Sequence, residues 1–191
     1  MHRCFQALLI FSIAALSWLM MLAVHESGHV LNGWLSGAKL DAVHLPLLGF
    51  SRTDFAVNPH PLFVAWGGPL WGSVLPLAIC IATRCFAAKR HLYLLAWFAG
   101  FCLIANGAYL LGGAFLTGGG DDGGVILQHG GARWQLAGFG ALALAAGLYL
   151  WNGLGPYFGL GPSGGKVDRK AAVASAVALA CVVVVMQLLP K

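Results

Sequence analysis

Twenty consecutive residues, Phe5 to Val24, carry only three polar side chains, Gln6, Ser12 and Ser17. A helix needs about 20 apolar residues to cross the hydrocarbon core of a bilayer, and this stretch is long enough. Four more such segments follow: Pro61 to Thr83, Leu92 to Leu116, Trp134 to Trp151 and Ala171 to Leu189. Lipid offers no partner to an open backbone N–H or C=O, so each segment is expected to be a helix. Composition agrees. Charged residues make up 9% of the chain and hydrophobic residues 59%, against about 25% and about 45–50% in soluble domains. So few charges cannot cover a surface facing water. The sequence predicts an all-α integral membrane protein of about five transmembrane helices, one membrane domain over residues 1–191.

The polar connections add detail. Residues 37–60 mix apolar and polar positions (Val43, His44, Leu45, then Phe50, Ser51, Arg52, Phe55, Ala56, Val57), which predicts a short β-hairpin or edge strands. If all five segments span, Arg3, Arg84, Lys89, Arg90, Lys166, Arg169 and Lys170 share one side, while Lys39, Arg52, Arg133 and Lys191 share the other. The positive-inside rule then places the N-terminus in the cytoplasm of a multi-pass protein in a plasma or inner membrane. The ends of the first and third helices face one side in either orientation. His2 and Arg3 before an apolar core resemble a signal peptide, but no small-x-small cleavage site follows, and the segment reads as a retained span. The basic residues are scattered rather than clustered, which argues against nucleic acid as a partner. Five cysteines, Cys4, Cys80, Cys85, Cys102 and Cys181, lie in apolar stretches without a Cys-x-x-Cys pair and read as apolar filling. Most of the 27 glycines read as packing positions that let helices approach closely.

His25-Glu26-Ser27-Gly28-His29 closes the first apolar stretch. Positions i and i+4 of a helix lie on one face, about 6 Å apart along the axis, so two imidazoles can grip one Zn2+ ion. A glutamate beside the first histidine can serve as general base toward water at that ion. Glu26 is the only glutamate in the chain, and an ionisable group at membrane depth is costly enough to signal function. Catalytic zinc usually takes three protein ligands. Asp41, Asp54 and Asp168 sit among basic residues and read as surface charge, which leaves Asp121 and Asp122, flanked by glycines just after the third span. One of the pair can ligate while the other caps a short helix beginning at Val125. The sequence does not choose between them. His129, seven residues after Asp122, is a further candidate ligand or transition-state donor, and Asn106 reads as a hydrogen-bonding group between helices.

A His-Glu-x-x-His motif on a membrane helix, Gly67-Gly68-Pro69 in the next, and Asp122-Gly123 at the end of a later one together resemble the site-2 protease family of intramembrane zinc metalloproteases. The resemblance covers residues 20–125, a three-helix catalytic core, and leaves residues 133–191 as two additional helices. It implies His25, His29 and Asp122 as zinc ligands, Glu26 as the base, and Gly68 and Pro69 as substrate-positioning residues. The chain has Gly72 where that family often has an asparagine three residues after the proline. It also lacks an Asn-x-x-Pro before Asp-Gly. The expected activity is hydrolysis of peptide bonds in a membrane protein or peptide substrate, with the 37–60 hairpin offering an edge for β-addition. A zinc-binding scaffold or regulator without proteolysis is the alternative. A metal or proton transporter fits less well, because the polar residues gather at one membrane side instead of forming a path.

Overall fold

The computed structural model describes residues 2–86, 91–116 and 121–188. Lys89, Arg90, Gly118 to Gly120, Leu189 and Lys191 lie outside the described residues. In chain order the elements are α1 (His2–Leu35), β1 (Lys39–His44), β2 (Arg52–Val57), α2 (Pro61–Phe86), α3 (Leu92–Phe115), α4 (Asp122–Gln128), α5 (Arg133–Trp151) and α6 (Arg169–Leu188), with a 3-10 turn at Gly155–Phe158. Among the described residues, five helices are long and apolar enough to cross a membrane: α1, α2, α3, α5 and α6. The expected all-helical architecture with a small hairpin is the one observed.

Two boundaries differ from the sequence expectation. The first helix does not stop near Val24 but runs on through His25-Glu26-Ser27-Gly28-His29 to Leu35. No proline or strong helix breaker interrupts residues 25–35, and Gly28 and Gly33 are tolerated because other groups pack against them. The expected short helix after the third span, α4, begins at Asp122 rather than at Val125. Its first orphan N–H groups are met by Asp121, whose side chain accepts from Gly124 N at 2.7 Å.

Backbone-to-backbone crossings organise the bundle. α1 and α2 meet where Gly28 faces Gly67, and a Cβ on either would run into the other's carbonyl oxygen. α3 and α5 use the same device twice, with Gly107 against Gly140 and Gly100 against Gly147. Small residues allow this approach, and without strong hydrophobic pressure between helices in lipid the close packing itself holds them. α6 packs on the first half of α1, where Ser12 Oγ and Ser175 Oγ share a buried 2.6 Å hydrogen bond. Leu9, Ile13, Tyr93, Phe158, Val167, Ala171 and Ala172 form the apolar cluster at that end. Ala65, Leu110, Ala114, Ile126 and Leu136 form a second cluster, under α4.

The hairpin does not stand away from the bundle. β1 and β2 pair antiparallel, and their connection turns back along α1. Leu45 packs with Met21, Leu22 and Cys102, and Phe50 meets Trp18 edge-on at 6.4 Å between ring centroids. The connection of the hairpin therefore lies against Trp18 to Leu22 of α1, while Thr53 and Phe55 of β2 meet Glu26 and Gly33 further along the same helix, and the tip residues Leu48 and Phe50 are 91% and 82% exposed.

Candidate metal centre

The i, i+4 spacing sets His25 and His29 on the face of α1 that meets α2, α3 and α4. Both are buried, as is Glu26, which is 2% exposed. His25 Nδ1 lies 2.6 Å from Asn106 Oδ1 on α3. The amide of Asn106 is oriented by its other end, because its Nδ2 donates to Cys102 O at 2.9 Å. Its Oδ1 must therefore be the acceptor, so His25 donates from Nδ1 and turns Nε2 inward. His29 is fixed in the same sense. Its Nδ1 lies 2.8 Å from Val64 O on α2, and a carbonyl can only accept. Both imidazoles thus turn Nε2 inward, and the two Nε2 atoms are 3.1 Å apart. A metal-ligating histidine commonly has its second nitrogen held in this way.

Asp122 completes the group. As the first residue of α4 it points into the bundle, with Oδ2 3.0 Å from His25 Nε2 and Oδ1 3.3 Å from His29 Nε2. Its backbone N–H donates to Tyr109 Oη at 3.0 Å, which ties α4 to α3. Burial pushes the Asp122 carboxyl upward, but hydrogen bonds and charge from His25 and His29 outweigh it and hold the group below the usual carboxylate range. One donor atom from each of His25, His29 and Asp122 lies within 4.8 Å of the others, and among the described residues this is the one such cluster of potential metal ligands.

Three inward-facing atoms at such distances are stabilised by positive charge between them, carried by protons on the imidazoles or by a metal ion. Two imidazole nitrogens and a carboxylate oxygen are a donor set that suits zinc, with room for a fourth, non-protein ligand. α2 comes close to the cluster at Gly68, where a Cβ would lie 2.2 Å from His29 Nε2 and 2.5 Å from His25 Nε2. The glycine is thus required by the imidazoles beside it. Pro69 is fully buried within α2 and packs the same helix.

The remaining sequence candidates separate cleanly. Asp121 is the helix cap and Asp122 the member of the cluster. His129 does not join the group. α4 ends at Gln128, and His129 is exposed, with Nδ1 bonded to Val125 O at 2.9 Å. The expectation of a shared helical face fails because the helix stops: Gly130 takes φ +94°, a left-handed conformation that ends it. Asn106 does bond between helices as expected, and its partner is His25. It occupies the space left by Gly72, where a Cβ would come within 2.9 Å of Asn106 Nδ2.

Three residues that the sequence did not single out belong to the site. Ser51 Oγ donates to Glu26 Oε1 at 2.5 Å and Thr53 Oγ1 donates to Glu26 Oε2 at 2.6 Å. Tyr109 stands over His25, ring centroids 6.0 Å apart. Its position three residues after Asn106 on α3 was the available signal, since i and i+3 share a face. Two cavities meet at these groups. One of about 230 Å3 is lined by His25, Glu26, His29, Ser51, Thr53 and Asp122. The other, about 730 Å3, opens between α1 and α3, apolar at Trp18, Met21, Leu22 and Phe50 and polar at His25, Glu26, Asn106 and Tyr109. No family model, curated protein or solved structure matches the chain.

Proposed function

We propose that this chain is an intramembrane zinc metalloprotease of the site-2 protease kind, hydrolysing peptide bonds of membrane-associated substrates. The observation that carries the reading is the convergence of His25 Nε2, His29 Nε2 and the Asp122 carboxylate, with the Glu26 carboxylate lining the same cavity. A donor set of this kind holds zinc with a position left for water or substrate, whereas a purely structural site is usually closed by four protein ligands.

His25, His29 and Asp122 would hold the ion, and Zn2+ bound there supplies Lewis acidity that polarises a carbonyl and acidifies water. Glu26 accepts a proton from water as the water oxygen bonds to the scissile carbonyl carbon. The C–N bond then breaks and the proton passes from Glu26 to the leaving amine nitrogen. Asn106 and Val64 O keep both imidazoles in one tautomer throughout. The 730 Å3 cleft between α1 and α3 gives an apolar segment a route to these groups. A helical substrate must unwind first, because its carbonyls are already hydrogen-bonded, and the open edge of the two-stranded hairpin can receive the extended segment.

The test compares wild type with Glu26→Gln, each purified, assayed for zinc content and reconstituted with single-span fluorogenic peptides in phosphatidylcholine vesicles. The expected result is equal zinc in both and cleavage by wild type alone. Undiminished cleavage by Glu26→Gln would overturn the assigned base. Zinc-loaded wild type that cleaves no peptide would refute the enzyme and leave a zinc-holding scaffold.

A further inference from the structure

We propose that Ser51 and Thr53 are positioning residues that hold the Glu26 carboxylate for proton transfer, so that the hairpin and the base act as one unit. The catalytic half of this inference rests on the hydrolytic reading above; the tie between hairpin and base does not.

The hairpin's own periodicity creates the arrangement. Ser51 directly precedes β2, and with alternation continued back by one residue it shares a face with Thr53, while Arg52 and Asp54 take the other. Arg52 and Asp54 pair with each other on the outer face, Nε to Oδ2 at 3.0 Å. His44 of β1 joins them, with Nε2 3.1 Å from the same oxygen. The inner face is left with two hydroxyls, and each finds a different oxygen of Glu26. One donor per oxygen fixes the plane of the carboxylate as well as its position, which a single bond would not do.

The chemistry of the donors matters. Hydroxyls orient a carboxylate without neutralising it, whereas a lysine or arginine in their place would cancel the charge that makes it a base. An ionised carboxylate has about four lone-pair sites, so two hydroxyl bonds leave capacity for a proton from water. Location supports the same assignment. Glu26 and Ser51 line both the small cavity of the histidine cluster and the large cleft between α1 and α3. The carboxylate therefore stands at the junction where a segment arriving through the cleft meets the cluster. The hairpin that would contact that segment is the element that holds the base.

The test has two arms. In the first, Ser51→Ala, Thr53→Val and the double variant are compared with Ser51→Thr and Thr53→Ser by steady-state cleavage of the vesicle peptides. Each lost hydroxyl is expected to lower kcat about tenfold, the effect of one hydrogen bond to a charged group, while KM stays within about twofold. The hydroxyl-retaining variants are expected to return kcat to within about threefold of wild type, with zinc content equal throughout. An unchanged kcat in the double variant overturns the proposal, and so does a raised KM at constant kcat, which would make the hydroxyls substrate contacts. The second arm needs no activity. Amide hydrogen exchange over residues 51–57 is expected to quicken about tenfold in Glu26→Ala and in the Ser51→Ala/Thr53→Val double variant. Unaltered exchange in both overturns the tie. Quickened exchange in a chain whose wild type cleaves nothing keeps the tie and removes the protease.

Discussion

Gly68→Ala tests the candidate metal centre more directly than removal of a ligand, because it leaves every donor in place. The added methyl would stand within 2.5 Å of His25 Nε2 and closer still to His29 Nε2, where an ordinary contact needs 3.4 Å or more. The His25 nitrogen alone must retreat by about 0.9 Å, and zinc–ligand distances tolerate about 0.2 Å. The backbone of α2 cannot yield instead, because one residue earlier Gly67 is already in contact with Gly28 of α1. At least one imidazole is therefore lost as a ligand. Perturbing an outer partner of a zinc ligand costs about 10–100-fold in affinity, so displacing the ligand itself should cost at least about 100-fold, or about 2.8 kcal/mol. The assay is competition for Zn2+ with a chromophoric chelator in detergent, alongside thermal unfolding. Overpacking also costs stability, about 1–3 kcal/mol, so Gly138→Ala on α5 is the companion variant. Nothing lies within 4 Å of a Cβ there, and zinc affinity should not change. Wild-type zinc affinity in Gly68→Ala would refute the reasoning, since the imidazoles would then not converge beside α2.

Other variants separate the roles assigned to neighbouring residues. Asp122→Asn should lose stoichiometric zinc, whereas Asp121→Ala should keep it and show only the cost of a lost helix cap, about 1 kcal/mol, in thermal unfolding. Asn106→Leu frees the His25 ring from its tautomer, and zinc affinity measured by the same competition should fall about 10–100-fold. For pH, the Asp122 carboxyl is held below its ordinary range, so its contribution is present above that range and lost only as pH falls through the lowered value. Zinc release from wild type on acidification from pH 8 to 5 should therefore follow protonation of the imidazoles rather than of Asp122. Dialysis against a strong chelator should abolish cleavage, and added Zn2+ should restore it.

Local periodicity made some of this site legible in the sequence. His25, Glu26 and His29 lie within five residues, and a single helix face determines their relation. The five spans were legible for the same reason, since apolar length is a local property. Asp122 required the number of spans to be right, because only then do the ends of the first and third helices share a side. The choice between Asp121 and Asp122 was not legible: both lie between glycines, and only the phase of α4 makes one the cap and the other the inward residue. His129 misled because seven residues imply a shared face only while a helix continues, and Gly130 ends this one. Ser51 and Thr53 look like ordinary strand residues. Their meaning depends on the hairpin folding back along α1, a tertiary fact with no local signature. Asn106 showed its polarity but not its partner, which depends on the space that Gly72 leaves on α2.

The hairpin laid along α1 has a consequence for solvent. A sheet of only two strands has two outer edges, and among the described residues no third strand pairs with either. Hydrocarbon cannot satisfy open backbone N–H and C=O groups, so at membrane depth the edges of the hairpin would need water or polar protein groups beside them. An element that needs water beside its backbone would also bring water toward Glu26, the reagent that the proposed hydrolysis consumes.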